Sequence, residues 1–194
     1  QMCIRDRRTR VKELFNQKDT FSQKEVEIYG WVRSNRSQAQ FGFLNVNDGS
    51  TLSNLQVVYD STLSNFEQIS KFRVGVSVSI YGKGVLTPNM KQPLEIHASV
   101  INMLGDCPED YPIQPKRHTR EFLRDVAHLR PRTNLFNAVF RIRSVAAMAI
   151  HSYFQDRGYL YVHTPLITCA DCEGSDQMFK ITTLNMQNLS LIHI

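Results

Sequence analysis

Alternation of apolar and polar residues at a period of two, broken by prolines and followed by a period near 3.6, constrains this chain more than any other feature. Val26, Ile28 and Val32 alternate with Glu25, Glu27, Trp31 and Arg33. Val74, Val76, Val78 and Ile80 alternate with polar neighbours, as do Leu94, Ile96, Ala98 and Val100. Successive side chains of a strand point to opposite faces, so each run predicts a half-buried strand with the named aliphatics inward. Phe41 to Asn47 and Leu55 to Tyr59 read as two further strands joined through the turn-prone Asp48, Gly49 and Ser50. Ser61 to Phe72 fits one short helix with Phe66, Ile69 and Phe72 inward.

Five strands with a helix between the third and the fourth is the layout of an all-β OB-fold barrel, whose second and third strands commonly face oligonucleotides. Another small β-barrel or sandwich has the same strand count and stays open at this point. Leu104 to Lys116 carries Gly105, Pro108, Pro112 and Pro115. Proline fixes φ and withdraws a backbone donor, so this stretch reads as a linker or hinge. After it, Val139, Ile142, Ala146, Ala149 and Tyr153 recur at spacings of three and four, predicting a helix over Asn134 to Arg157 with a buried stripe. Thr133 or Asn134 suits its start and Gly158 its end. Tyr159 to Val162 reads as a short strand ended by Thr164 and Pro165, and Met178 to Leu184 as another.

At 194 residues the chain has room for one complete small domain and part of a second. The expected division is a non-native tail over 1–8, a barrel over 9–104, a hinge over 105–120, the incomplete start of an α+β domain over 121–188 and a second non-native tail over 189–194. Neither tail continues the adjacent pattern, so both are left out of the fold reasoning. No apolar run reaches the roughly 20 residues that span a bilayer, so no membrane partner is expected. Cys3, Cys107, Cys169 and Cys172 are irregularly spaced and make no disulfide framework, which with the absence of a signal-peptide pattern suggests a reducing, cytoplasmic setting. Cys169 and Cys172 have the spacing of half a zinc site, but no second pair follows, and no metal site is expected. The net charge of +5 permits a nucleic-acid partner without demanding one, since Arg5, Arg7 and Arg8 against Asp6 supply two of those charges.

Motifs narrow the function. Phe136 to Ile167, a long helix leading into Gly158-Tyr-Leu-Tyr-Val-His-Thr-Pro165, resembles motif 1 of the class II aminoacyl-tRNA synthetases. Ala127-His-Leu-Arg-Pro-Arg-Thr-Asn134 before it, and Asp171-Cys-Glu-Gly174 with Met178-Phe179 after it, resemble the asparaginyl-tRNA synthetases in order and spacing. Upstream, Tyr29-Gly-Trp-Val-Arg-Ser-Asn-Arg36, Asn45-Val-Asn-Asp-Gly-Ser50 and Leu55-Gln-Val-Val58 resemble the anticodon-binding barrel of the aspartyl, asparaginyl and lysyl enzymes. The resemblance runs from about Val11 to Asn185. The fold it implies is a five-stranded OB-fold barrel followed by the incomplete start of a class II catalytic domain built on an antiparallel sheet.

Proteins hold single-stranded RNA loops by stacking bases on aromatic rings, reading base edges with hydrogen bonds and pairing phosphates with cations. The resemblance gives those roles to three residues. Phe43 would stack on the central anticodon uridine, Gln56 would read that base through an amide that both donates and accepts, and Arg36 would contact the loop. Where related aspartyl enzymes often carry a second aromatic, this chain has Val58. The resemblance also places Glu173 and Gly174 in a mobile loop that closes over the amino acid, and Pro165 at a homodimer interface.

The implied activity is ATP-dependent attachment of asparagine to its tRNA, with magnesium. In the family, motifs 2 and 3, which carry the phosphate-binding arginines, lie beyond the counterpart of Asn185. No catalytic residue is therefore expected within this piece, which should neither hold ATP and Mg2+ well nor charge tRNA alone. The alternatives are a piece of an aspartyl-tRNA synthetase and a non-enzymatic OB-fold nucleic-acid-binding protein.

Overall fold

A computed structural model describes residues 8–88, 90, 92–165 and 167. The chain divides into two compact units between Ala147 and Met148. In the first, helices α1 (Val11–Asn16) and α2 (Lys18–Phe21) precede strands β1 (Glu25–Ser37), β2 (Phe41–Asn47) and β3 (Leu55–Asp60). Helix α3 (Phe66–Ser70), strands β4 (Ser77–Leu86) and β5 (Leu94–Gly105) and helix α4 (Arg120–Asp125) follow, and a 3-10 turn (Arg130–Arg132) leads into helix α5 (Asn134–Gln155).

The five strands close into a barrel in the order β1-β2-β3-β5-β4. All junctions are antiparallel except β3 with β5, where Val57 pairs with Ile96 and Val58 with His97 in parallel. Alternation dictates the filling. Val26, Ile28, Val32, Leu44, Val46, Leu55, Val57, Val78, Ile80, Leu94 and Ile96 are all buried inside, and α3 adds Ile69. Leu14 of α1 is buried in the same core. The amide of Val11 donates to Asp48 Oδ2 at 2.9 Å and that of Lys12 to Ser50 Oγ at 3.0 Å, so the β2–β3 connection satisfies two orphan donors of α1.

Two β-bulges change the pattern read from the sequence. In β1 the register shifts between Val32 and Ser34, leaving Arg33 as the extra residue. Beyond it Asn35 points inward, opposite buried Leu44, while Ser34 and Arg36 face out opposite Asn45 and Phe43. Inside, Tyr59 donates its hydroxyl to Asn35 Oδ1 at 2.9 Å, and Asn35 Nδ2 donates to the Ile69 carbonyl at 2.7 Å. Asn35 thereby serves both a buried tyrosine and the end of α3, closing one end of the barrel with a satisfied polar group. In β5 the pairs Gly82 with Ala98 and Tyr81 with Val100 leave Ser99 as the extra residue. Val100, expected inward, therefore lies 45% exposed and Ile101 takes the core position. The helix expected over Ser61 to Phe72 is shorter, Phe66–Ser70, because hydrogen-bonded turns occupy residues 61–65.

Helix α5 starts where Thr133 Oγ1 accepts from the Phe136 amide at 3.4 Å. The expected buried stripe is absent: no residue of α5 is buried, and Ile142 is 68% exposed. Burial of an amphipathic face needs a second surface, and periodicity alone does not supply one.

In the second unit the chain leaves α5 through a Schellman turn. Gly158 has φ of +82°, its amide donates to the Gln155 carbonyl at 3.0 Å, and the Tyr159 amide donates to the Phe154 carbonyl at 3.2 Å. The rings of Phe154 and Tyr159 meet edge to face at 5.5 Å, the apolar contact that accompanies such a turn. Tyr159 to Val162, expected as a strand, joins no ladder among the described residues. The strand expected over Met178 to Leu184 lies outside the described residues. Among the described residues no helix is long and apolar enough to cross a membrane.

Candidate nucleic-acid interface

The outer wall of β1, β2 and β3 carries two rows of side chains, and the register fixes both. One row runs from Arg36 through Phe43 to Val58, and the other from Ser34 through Asn45 to Gln56. The rows lie two residues apart along each strand, about 7 Å at the usual rise of an antiparallel strand. Without the Arg33 bulge, Arg36 would fall on the inward phase, opposite Gly42, because a one-residue slip inverts a strand's faces. Irregularity in β1 is thus what brings Arg36 onto the same face as Phe43 and Gln56.

The Phe43 ring is half-buried and meets Phe41 edge to face at a centroid separation of 5.5 Å. Its other neighbour is Arg36, whose guanidinium carbon lies 5.7 Å from the ring centroid. A cation close to an aromatic face suits a base that stacks on the ring while its phosphate approaches the guanidinium. In the second row Asn45 Nδ2 donates to Ser34 Oγ at 2.8 Å. Gln56 Nε2 donates to Glu95 Oε2 of β5 at 3.1 Å, and Glu95 Oε1 lies 3.0 Å from His97 Nε2. Its main-chain amide donates to Gln92 Oε1 at 2.8 Å, so the residue is anchored at both ends.

Asp60 ends β3 opposite Phe41. The Thr62 hydroxyl and then its amide donate to Asp60 Oδ1, and these bonds hold the carboxyl below the ordinary aspartate range. The face is therefore mixed in charge, with Arg36 its permanent cation and Asp60 an anion at its margin. That suits weak, salt-sensitive binding of a polyanion steered by a few contacts more than an indiscriminate electrostatic grip.

Arg36, Phe43 and Gln56, named from the sequence, share this outer surface. Pro165 is exposed in the irregular stretch after α5. Glu173 and Gly174 lie outside the described residues. Sequence reasoning did not single out Asn45, Glu95 or His97. The polar phase of the β5 alternation marks Glu95 and His97 as outward, but placing them beside Gln56 requires the β3–β5 pairing across 39 residues.

Beyond the Ser34–Asn45 row, at Trp31 and Arg33, the segment that leaves the barrel returns to it. Arg33 donates Nη1 to the Arg132 carbonyl and Nη2 to Asn134 Oδ1, the latter at 3.5 Å. The Arg132 guanidinium lies 4.4 Å from the Trp31 ring centroid. Arg141 donates to the Gly49 carbonyl and, through Nε, to Asn137 Oδ1 at 2.6 Å. A cleft of about 150 Å³ lies among Trp31, Arg33, Tyr111, Pro131 and Arg132. Burial, with Arg132 adding to it, holds the Arg33 guanidinium below its ordinary value, while Tyr111 opposes the shift. The Cys107 thiol, packed under Gly75, is pushed up by burial and next by Asp106.

Comparison with known proteins assigns both parts. Residues 26–104 match the OB-fold nucleic acid binding domain, and residues 119–192 match tRNA synthetases class II (D, K and N). The order of the two matches is that of a nucleic-acid-binding barrel followed by the start of a class II synthetase domain of that group, and the second match counts against the reading as a free-standing OB-fold binding protein. Within the group it is similar to the asparagine-tRNA ligases. It is 53% identical to that of Clostridium novyi over 178 residues, covering 92% of this chain and 38% of the relative. With that of Acholeplasma laidlawii the identity is 52% over 177 residues, covering 91% and 38%. The chain thus spans well under half the length of these relatives. Among solved structures, asparaginyl-tRNA synthetase from Pyrococcus horikoshii complexed with asparaginyl-adenylate aligns with a TM-score of 0.79 at 22% identity, covering 90% of this chain and 40% of that one. Aspartyl-tRNA synthetase from Entamoeba histolytica aligns at 0.64 with 20% identity, covering 81% and 39%. Both support the fold.

Proposed function

We propose that this chain is the anticodon-binding barrel and the first catalytic-domain segment of an asparagine-tRNA ligase, and that the outer wall of β1, β2 and β3 takes the anticodon loop of asparagine tRNA. The observation that carries the reading is the convergence of Arg36, Phe43 and Gln56 on one outward surface of a barrel whose interior is filled mainly by aliphatics. Phe43 stacks on the central base, Gln56 reads its edge, and Arg36 balances phosphate charge.

The Glu95 contact supports the assignment of Gln56. With Nε2 held by a carboxylate, the amide plane is oriented before RNA arrives, which reduces the freedom lost on binding. A uracil edge both donates and accepts, and an oriented amide offers the complementary pair.

The whole protein's reaction, on this reading, joins asparagine to its tRNA at the expense of ATP in the cytoplasm. ATP with magnesium would supply the phosphoanhydride bond that activates the asparagine carboxyl, with pyrophosphate as leaving group, and this chain's share is to hold and orient the RNA. We infer further that Glu173 and Gly174 belong to a loop closing over asparagine, and that Pro165 and the exposed apolar residues of α5, among them Ile142 and Val145, meet a second copy in a homodimer.

Titration of the asparagine-tRNA anticodon stem-loop into the 194-residue chain tests the reading. Phe43→Ala and Gln56→Ala are expected to weaken binding, each by about 1–3 kcal/mol if the contact is a full stack or base-edge bond. Wild-type binding that both substitutions leave untouched refutes the proposed face.

A further inference from the structure

We propose that Arg33 is a positioning residue: left out of the β1–β2 ladder by its bulge, it ties residues 130–134 to the barrel and so fixes the start of α5 relative to RNA held at Arg36 and Phe43. The purpose given to the tie rests on the RNA-binding reading. The tie itself rests on contacts.

Three observations carry it. Arg33 is the residue of the bulge that pairs with none in β2, so it belongs to neither row. Its two terminal nitrogens then reach different acceptors in the returning segment, the Arg132 carbonyl and the Asn134 side chain. A planar guanidinium serves two acceptors at once, whereas an ammonium meets them as a point charge. Finally, Arg132 turns its own guanidinium away, onto Trp31 of the same strand. Two like charges are thereby held close, an arrangement that persists because each has a separate electron-rich partner.

Helix polarity does not account for the position. Arg33 sits at the first residue of α5, the end that favours anions, so the carbonyl acceptor and not the helix dipole must hold it there. Three residues further along β1 is Arg36, on the proposed RNA face. One strand therefore carries both the tie and a proposed RNA contact, with no flexible segment between them.

Trp31 is the chain's single tryptophan, which makes its emission a direct report on the contact. The experiment compares wild type, Arg33→Ala, Arg33→Lys and Arg132→Ala in the 194-residue chain by tryptophan emission, amide hydrogen exchange and stem-loop titration. Arg33→Ala is expected to red-shift Trp31 emission, raise its quenching by acrylamide and speed exchange across residues 130–137 by about tenfold or more, as loss of a charge-assisted bond implies. Barrel amides and stem-loop affinity should stay within about twofold, since among the described residues no hydrogen bond joins Arg36, Phe43 or Gln56 to residues 130–134. Arg33→Lys should restore part of the protection. Arg132→Ala should alter the emission while leaving exchange across 130–137 slow, because its main-chain acceptor remains.

Unchanged exchange across 130–137 in Arg33→Ala overturns the proposal. Faster exchange spread evenly over all five strands also overturns it, since Arg33 would then merely support the sheet. Should Arg33→Ala not fold, Arg33→Lys decides, with wild-type protection across 130–137 counting against the tie. A wild-type chain that binds no stem-loop removes the RNA reading, while the exchange pattern still decides for or against Arg33.

Discussion

Arg36 lies directly opposite Phe43 across the β1–β2 ladder, with its guanidinium carbon 5.7 Å from the ring centroid. Cation and ring are thus presented together on one wall, the pairing that an unstacked, phosphate-linked base requires. Arg36→Ala should separate the two contributions. Each phosphate neutralised on single-stranded RNA adds about 0.7 to the slope of log affinity against log salt. Losing Arg36 is expected to lower that slope by roughly this amount, whereas Phe43→Leu weakens binding at every salt concentration and leaves the slope alone. Titrations at three or more ionic strengths check both halves, and an unaltered slope in Arg36→Ala removes the phosphate contact.

Asn35 should be the costliest polar residue of the barrel to lose. Truncation to alanine strands the Tyr59 hydroxyl in the interior, whereas the Ile69 carbonyl keeps the Phe72 amide as a donor. A buried polar group left without a partner costs about 1–3 kcal/mol, so Asn35→Ala is expected to destabilise by roughly that amount in denaturant unfolding. Tyr59→Phe removes one partner and should cost less. The neighbouring Ser37→Ala, at the exposed end of the strand, serves as the near-neutral control.

Much of this barrel was legible in the sequence, and the limits are instructive. Phe41–Asn47 and the strand from Leu55 follow from alternation alone, because each stays in phase from end to end. β1 and β5 change phase at Arg33 and Ser99, and a bulge carries no residue signature beyond tolerating the extra position. Hence Val100 was expected inward and Ile101 was passed over. The roles of Phe43 and Gln56 were suggested by resemblance, but the partners of Gln56 were not. Glu95 comes from a strand that reaches β3 through a parallel pairing, a long-range contact no local pattern encodes. The return of Arg132 onto Trp31 was hidden for the same reason. Burial of the α5 stripe failed as an expectation because periodicity states which face is apolar and not what covers it.

Acid should reveal the Asp60–Thr62 contact. The folded carboxyl titrates below its unfolded value, which is about 3.9, so protons bind the unfolded chain more readily. The contribution to stability is complete above the unfolded value and is lost as pH falls through the folded one. Thr62→Val removes the hydroxyl donor and is expected to raise the Asp60 midpoint toward the ordinary value. Carboxyl titration by NMR on both proteins measures the difference, and an unmoved midpoint refutes the assigned cause.

Gly158 sets the exit from α5. Alanine at φ of +82° meets the left-handed penalty of about 1–2 kcal/mol, so Gly158→Ala should fray the last turn and part the Phe154 and Tyr159 rings. Faster amide exchange at Gln155 to Tyr159, with the barrel unaffected, is the expected result.

The cylinder is joined to itself between β3 and β5 by two residue pairs, the shortest of its five junctions. That slit is where thermal breathing should begin, and the Gln56–Glu95 bond is a stitch across it. An anticodon loop laid over Gln56 and His97 touches both lips. On this geometry, gripping RNA and keeping the cylinder shut become one act, so the loop should raise the melting temperature beyond what its contacts on either lip alone supply.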